Sequence, residues 1–148
     1  MKTRGLIVTL VFFAAAGGLL VWASLSAGAG TQESKDLNAR IFELRIYHTH
    51  PGKLDDLHAR FRNHTNRLFV KHGITLIGYW TPAQGPEAEN TLIYIIAHES
   101  REAAKKSWAA FRADPEWKKA YADSRRDGPI VARVESKFLN PTDYSPIR

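Results

Sequence analysis

Residues 42–47 read Phe-Glu-Leu-Arg-Ile-Tyr, an alternation of apolar and polar side chains that indicates a β-strand. Successive side chains of a strand point to opposite faces, so Glu43, Arg45 and Tyr47 share one face and the apolar residues share the other. The alternation returns near the C-terminus, over residues 131–138. Such strands are typical either of a half-buried sheet with one solvated face or of a barrel whose polar faces line a shared cavity.

The segments between these strands predict two helices and two further strands. Helical spacing of apolar residues indicates a first helix, which Gly73 ends. A second helix begins at Ser100, a preferred N-cap residue, and restarts at Asp114-Pro115. The predicted elements are strands over residues 40–50, 74–81, 91–98 and 130–139, and helices over residues 53–72 and from 100 to about 126. The order β-α-β-β-α-β is that of an α+β, ferredoxin-like fold with an antiparallel sheet in strand order 4-1-3-2.

This topology places both helices on one face of the sheet. We expect the other face to carry Tyr47, Trp80 and Tyr94 and to pair with the same face of a second copy, as a dimeric α+β barrel. The chain has 148 residues and no cysteine, so disulfides cannot stabilise this small domain. The uncovered sheet face and the absence of disulfides both favour a homodimer.

The N-terminal segment predicts export. Lys2 and Arg4 precede a nearly continuous apolar run over residues 6–23, and Ala27-Gly28-Ala29 has the small residues of a cleavage site. We interpret residues 1–29 as a signal peptide, residues 30–39 as a flexible lead and residues 40–148 as a periplasmic or secreted domain. The alternative is an uncleaved membrane anchor over residues 6–23, because about 18 apolar residues reach the lower limit for a spanning helix.

The net charge of +6 does not indicate a nucleic-acid partner. Lys2 and Arg4 contribute two of these charges, and the rest are spread along both predicted helices, as at Arg60 and Arg62, among acidic residues. No block of five like charges occurs. The pattern is typical of a solvated cationic surface.

The first strand and its neighbours supply the candidate site. The candidates for ligand binding are Glu43, Arg45, Tyr47, Trp80, Tyr94 and Glu135. In the predicted strand order, the charged members converge from adjacent strands, either as a structural network at a dimer interface or as a pocket for a small anionic or aromatic ligand. In the second case Arg45 binds an anionic or carbonyl oxygen and Tyr47 or Tyr94 orients the ligand. A general base would be Glu43, Glu135 or a histidine.

The histidines do not indicate a metal or cofactor. His48 and His50 lie two residues apart on one strand face, which is a spacing that can hold a metal. His98 should lie at the opposite end of the strand pair, on the order of 15 Å away at the rise of a strand, so a third ligand is missing. The helix histidines at 58, 64 and 72 lie beside the apolar stripe and are interpreted as packing residues rather than haem ligands.

Five segments in order resemble the NIPSNAP family. They are ELRIY at 43–47, PGKL at 51–54, HG at 72–73 followed by GYW at 78–80, DPEW at 114–117, and ES at 135–136 with PTDYSP at 141–146. The resemblance implies a dimeric α+β barrel, within a superfamily that also houses cofactor-free monooxygenases, haem-dependent enzymes and isomerases. In the third strand, Tyr94 and Ile96 stand where relatives commonly carry His and Trp.

Two functions therefore stand as hypotheses. The first is an exported, non-catalytic barrel that binds a small ligand or a partner protein. The alternative is a small cofactor-free monooxygenase or isomerase acting on an aromatic or carbonyl substrate. A closed apolar cavity with a strongly perturbed carboxylate or histidine favours the enzyme, and a lumen filled by its own side chains favours the first hypothesis.

Overall fold

The computed structural model describes residues 40–148, which form a four-stranded antiparallel sheet and a set of helices. The strands are β1 (Ile41–Thr49), β2 (Thr75–Trp80), β3 (Thr91–His98) and β4 (Val131–Leu139). The helices are α1 (Leu54–Arg60), α2 (Asn66–Lys71), α3 (Arg101–Ala113) and α4 (Pro115–Asp123). A π-helical turn, Phe61–Thr65, joins α1 to α2, and a 3-10 turn, Pro86–Glu89, precedes β3. The strand order β2-β3-β1-β4 confirms the predicted ferredoxin-like topology.

Capping side chains define where α3 and α4 begin. Ser100 Oγ accepts a hydrogen bond from the amide of Ala103 at 3.0 Å, and Asp114 Oδ1 accepts one from the amide of Glu116 at 2.8 Å. The other oxygen of Asp114 accepts from Lys71 Nζ at 2.7 Å and lies 2.8 Å from His72 Nε2. Asp114 therefore caps α4, as predicted, and also ties α2 to the junction between α3 and α4.

The first helical segment differs from the single α-helix predicted over residues 53–72. It changes to a π-helical turn directly after Arg60, and the hydroxyl of Thr65 donates to the Arg60 carbonyl oxygen at 3.2 Å. A π turn holds an extra residue and often marks a functional site. Because Arg60 lies between Leu57 and Phe61 on the buried side of this segment, its side chain enters the protein interior.

The hydrophobic core lies between the sheet and the helices. Phe61 meets Tyr94 edge to face with ring centroids 5.2 Å apart, and Phe69 meets Phe111 in the same way at 4.8 Å. Leu57 and Ile96 are fully buried beside these rings. Burial of this aromatic and aliphatic surface at about 25 cal/mol per Å² fixes the helices on one face of the sheet.

The placement of Tyr47 and Tyr94 is opposite to the prediction. Tyr94 lies opposite Arg45 in the β1–β3 register, and both tyrosine rings pack on Phe61 beneath the helices. An alternating pattern determines which residues share a face, but it does not determine which face the helices cover. The polar side of β1 is therefore the helix-covered face.

Trp80 lies on the other face, here called the open face, as predicted. It is paired with Ile93 in the β2–β3 register, and its side chain is 51% exposed. The indole folds back over Gly78, where a Cβ atom would stand 2.5 Å from the ring. Apolar side chains of β1 and β3, Leu44, Ile46, Ile93 and Ile95, occupy the centre of this face.

The predicted signal peptide, lead and membrane anchor lie outside the described residues. Between residues 40 and 148, no helix has the length and apolar character needed to cross a membrane.

Candidate functional site

Glu43 is the centre of a buried polar cluster on the helix-covered face. The residue is 1% exposed, and its carboxylate accepts hydrogen bonds from Arg45 at 2.6 Å, from the Trp108 indole at 2.7 Å and from the Ser136 hydroxyl at 2.7 Å. His98 Nε2 lies 3.1 Å from the second carboxylate oxygen. These donors come from β1, β3, α3 and β4, so the cluster joins three strands and a helix.

The hydrogen bonds determine the protonation state of Glu43. Burial alone raises the pKa of this carboxyl, but the hydrogen bonds from His98, Trp108, Ser136 and Arg45 outweigh burial and lower the pKa to about 2. The carboxylate is therefore ionised at neutral pH and fully engaged by donors. This arrangement suits a structural anion rather than a general base.

Three other predicted site residues, Arg45, Tyr47 and Tyr94, lie next to Glu43 on this face. Arg45 Nη2 donates to the Tyr47 hydroxyl oxygen at 3.3 Å, and its guanidinium carbon lies 4.6 Å from the Trp108 ring centroid. The rings of Tyr47 and Tyr94 are 5.4 Å apart. Because the Tyr47 hydroxyl accepts from Arg45, its own proton is available to donate elsewhere.

Glu135 does not join this cluster, contrary to the prediction. The β1–β4 register places it opposite Ile46, on the open face. Its carboxylate binds Arg133 Nη1 at 2.6 Å and lies 3.1 Å from His48 Nε2, and the hydrogen bond with His48 together with the charge of Arg133 lowers the pKa of Glu135. A shift of one residue along a strand changes the face, so Ser136 takes the position that was predicted for Glu135.

The histidine pair of β1 has other partners. His48 lies against Glu135 and 3.3 Å from the Thr91 hydroxyl, while His50 is exposed. His98 pairs with Ile41 at the opposite end of the two strands, as the sequence predicts. In the part of the chain that the structure describes, no three histidine or carboxylate side chains are grouped to hold a metal ion.

A cavity of about 280 Å³ lies beside the polar cluster, between the sheet and the helices. Tyr47 and Val134 line its sheet side, and rings from the π turn and from α2, α3 and α4 line its helix side. Those rings belong to Phe61, Phe69, Phe111 and Trp117. Tyr47 therefore borders both the polar cluster and the cavity.

Arg60 is a buried cation in the wall of this cavity. It is 5% exposed, and its guanidinium carbon lies 5.6 Å from the Trp117 ring centroid and 5.4 Å from that of Tyr121. Its one side-chain hydrogen bond within residues 40–148 goes to the Ser124 hydroxyl at 3.3 Å; Nε has no partner there. No carboxylate in this range forms an ion pair with Arg60, and burial lowers its pKa.

The charge pattern of the sequence indicated that Arg60 lies on a solvated cationic surface, and this interpretation is wrong. The signal that identifies it is its position, three residues after Leu57 and next to Phe61, within the apolar stripe of the helix. A charged residue at such a position is either paired inside or faces a cavity. Arg60 faces a cavity.

The comparisons with known proteins identify the family. The NIPSNAP family model matches residues 42–146. The chain belongs to the NIPSNAP family. None of the curated proteins matches it significantly.

Three solved structures illustrate the similarity. A NIPSNAP-like domain protein from Burkholderia xenovorans is 26% identical with a TM-score of 0.64, over 73% of this chain and 90% of that one. A NIPSNAP family protein from Agrobacterium tumefaciens is 24% identical with a TM-score of 0.65, over 74% and 95%. SnoaB, a cofactor-independent oxygenase from Streptomyces nogalater, is 12% identical with a TM-score of 0.50, over 73% and 98%. The likeness to SnoaB concerns the fold alone.

Proposed function

We propose that this NIPSNAP-family protein binds a small aromatic anion in the 280 Å³ cavity. The observation that carries the proposal is Arg60, a buried cation in the cavity wall without a carboxylate partner in residues 40–148. A buried charge is costly unless an opposite charge compensates it. Guanidinium binds carboxylates through two parallel hydrogen bonds, so a ligand carboxylate is the anion that fits Arg60.

The remaining wall supports an aromatic ligand. Rings of Phe61, Phe69, Phe111 and Trp117 offer faces and edges to a planar ring. Tyr47 also lines the cavity, and its hydroxyl, which accepts from Arg45, can act as a donor to a ligand oxygen. The cavity volume lies just below the range typical of drug-sized ligands, which favours a compound of one or two rings.

The composition of the wall favours binding over catalysis. The side chains that line this cavity include no carboxylate and no histidine. Glu43 is held as an ion by its donors, and Glu135 lies on the open face. The alternative, a cofactor-free monooxygenase or isomerase, draws support from the fold shared with SnoaB. Consumption of the bound ligand would favour that alternative.

Replacement of Arg60 by Gln tests the binding proposal. We expect the affinity for benzoate or 2-naphthoate, measured by calorimetry, to fall about 10- to 100-fold, because a charge-assisted hydrogen bond is worth about 1.5–3 kcal/mol. Affinity for the uncharged amides of the same rings should change little. The free protein should keep its stability, since the substitution removes a buried unpaired charge.

Arg67→Gln is the matched control, because it removes one positive charge from the exposed side of the same helical segment. This variant should bind both carboxylates as the wild type does. Equal affinity of the Arg60→Gln variant and the wild type for the carboxylates would contradict the proposal.

We further propose that two copies pair through the open face. Its centre consists of the adjacent, partly exposed apolar residues Leu44, Ile46, Ile93 and Ile95, and a contiguous apolar patch of this kind is typical of an interface. Light scattering after size exclusion should give the mass of a dimer for the wild type and of a monomer for Ile95→Lys. Val70→Lys changes a residue that is 61% exposed on the helical side and should remain dimeric. A monomeric wild type would contradict the pairing.

Export is the last part of the proposal. It rests on the basic start, the apolar run and the small-residue motif of residues 1–29. Cleavage after Ala29 predicts a mature chain that begins at Gly30, which intact-mass measurement of the native protein detects. Retention of residues 1–29 in a membrane fraction would instead support the anchor over residues 6–23.

A further inference from the structure

A second cavity, of about 400 Å³, lies between the first helical segment and the end of β2. Its helix side carries His58, Arg62 and Asn66, and its strand side carries Tyr79 and Trp80. Phe61 lines this cavity as well as the first one. The second cavity therefore borders Trp80, a sequence-predicted ligand residue that lies away from the Glu43 cluster.

Two polar atoms of the residues around this cavity are buried without a partner. The Tyr79 hydroxyl and the Asn66 side-chain oxygen form no hydrogen bond with any group in residues 40–148. Buried polar groups are nearly always paired, and an unpaired one costs stability. Both residues border the same cavity, although the two atoms themselves are closed to solvent, so a small rotation of either side chain toward the cavity would let a ligand supply the missing partner.

The chemistry of these groups defines the ligand. Burial raises the pKa of Tyr79, so its hydroxyl is protonated at neutral pH and can donate. The Asn66 oxygen requires a donor. Arg62 is exposed, forms no ion pair in the described part of the chain, and is available to an anion; no carboxylate lines the cavity. Trp80 offers an aromatic face.

We infer that this cavity is a second ligand site, which takes an aromatic anion that also carries a hydrogen-bond donor, such as a hydroxybenzoate. The ligand hydroxyl donates to Asn66 and accepts from Tyr79, the ring contacts Trp80, and the carboxylate lies toward Arg62. The site is separate from the Arg60 cavity, because the groups that bind the ligand belong to different residues. It does not depend on the function proposed for the first cavity.

The two sites contain different tryptophans, which makes them separable by fluorescence. Trp117 lines the first cavity and Trp80 the second. Titration of the wild type with 4-hydroxybenzoate should quench a component that Trp80→Phe removes and Trp117→Phe retains. Arg60→Gln should leave the Trp80 component intact, so failure of the first site and failure of the second are distinguishable.

Asn66→Leu and Tyr79→Phe test the inference directly. Each removes a buried unpartnered atom, so the melting temperature of the free protein should stay unchanged or rise. The affinity for 4-hydroxybenzoate, followed by the Trp80 component, should fall about tenfold in each variant, whereas that for benzoate, which lacks the hydroxyl, should change little. Asn63→Leu changes an exposed amide of the same helical segment and should bind as the wild type.

Three results would overturn the inference. One is wild-type affinity for 4-hydroxybenzoate in both the Asn66→Leu and Tyr79→Phe variants. Another is a marked drop in melting temperature in both, since that would assign the two atoms to the folded structure itself. The third is the absence of a Trp80 component in the wild type at millimolar 4-hydroxybenzoate.

Discussion

Replacement of Glu43 by Gln is expected to destabilise the protein by about 3–5 kcal/mol, because it leaves the largely buried Arg45 cation without its carboxylate. Arg45 donates to this carboxylate at 2.6 Å, and the Ser136 and Trp108 donors converge on the same group. The side-chain amide of the variant has one acceptor oxygen, whereas in the wild type these donors share two carboxylate oxygens. Urea denaturation at pH 7 measures the difference in the free energy of unfolding.

Glu135→Gln is the control for this variant. Glu135 also contacts an arginine and a histidine, but it lies at the surface of the open face. Exposed ion pairs contribute about 0–1 kcal/mol, so this variant should lose less than 1 kcal/mol. Equal losses in the two variants would contradict the structural role assigned to the Glu43 cluster.

The low pKa of Glu43 predicts a contribution to stability that is lost in acid. The folded-state pKa of Glu43 is about 2, below its ordinary value of 4.5. A lowered pKa adds stability that is fully present above pH 4.5 and is lost as the pH falls from 4.5 toward 2. The wild type should therefore lose stability more steeply than Glu43→Gln over this range. Parallel profiles would contradict the prediction, because other carboxylates with lowered pKa values, such as Asp114, are common to both proteins.

Local sequence patterns were sufficient to predict the fold. The apolar period changes between two and about 3.6 along the chain, and Ser100 and Asp114 cap their helices as their residue types predict. The strand order followed from the order of the elements along the chain. The face of the sheet that the helices cover could not be predicted, because the alternation of Glu43, Arg45 and Tyr47 is equally compatible with a solvated surface and with a buried polar cluster. Only tertiary contacts, such as that between Glu43 and Trp108, distinguish the two.

The candidate site was predictable in part for the same reason. Glu43, Arg45 and Tyr47 lie on one strand, so their common face follows from the period of two. The face on which Glu135 lies depends on the pairing register between distant strands, which cannot be read from the sequence. Arg60 lies within the apolar stripe of α1, between Leu57 and Phe61, but a helical period alone does not show whether a cation there reaches solvent or enters a cavity. Strand register and the surroundings of inward-facing charges are thus the two sources of error.

Phe61 both packs in the hydrophobic core and lines the two proposed ligand cavities. It is 4% exposed, and its ring packs edge to face against Tyr94 at 5.2 Å, Tyr79 at 5.7 Å and Tyr47 at 6.0 Å. It lines both the 280 Å³ cavity and the 400 Å³ cavity. The Phe61 side chain therefore limits the space available to a ligand on either side.

Phe61→Ala is expected to lower the free energy of unfolding by about 3–5 kcal/mol, the usual cost of removing a buried aromatic ring and leaving a cavity. Phe138→Ala removes a ring that is 37% exposed and should cost clearly less. Denaturation of both variants beside the wild type gives the comparison.

The same substitution should change which ligands bind. Removal of the ring enlarges both cavities toward each other, so the affinity for 2-naphthoate should rise relative to that for benzoate, provided that the variant remains folded at the temperature of the titration. Phe61→Leu keeps most of the side-chain volume and should retain the wild-type ratio. Loss of stability with an unchanged affinity ratio would mean that Phe61 only packs the core and that ligands do not reach it. A changed ratio in Phe61→Ala alone would mean that this ring bounds the space in which the ligand binds.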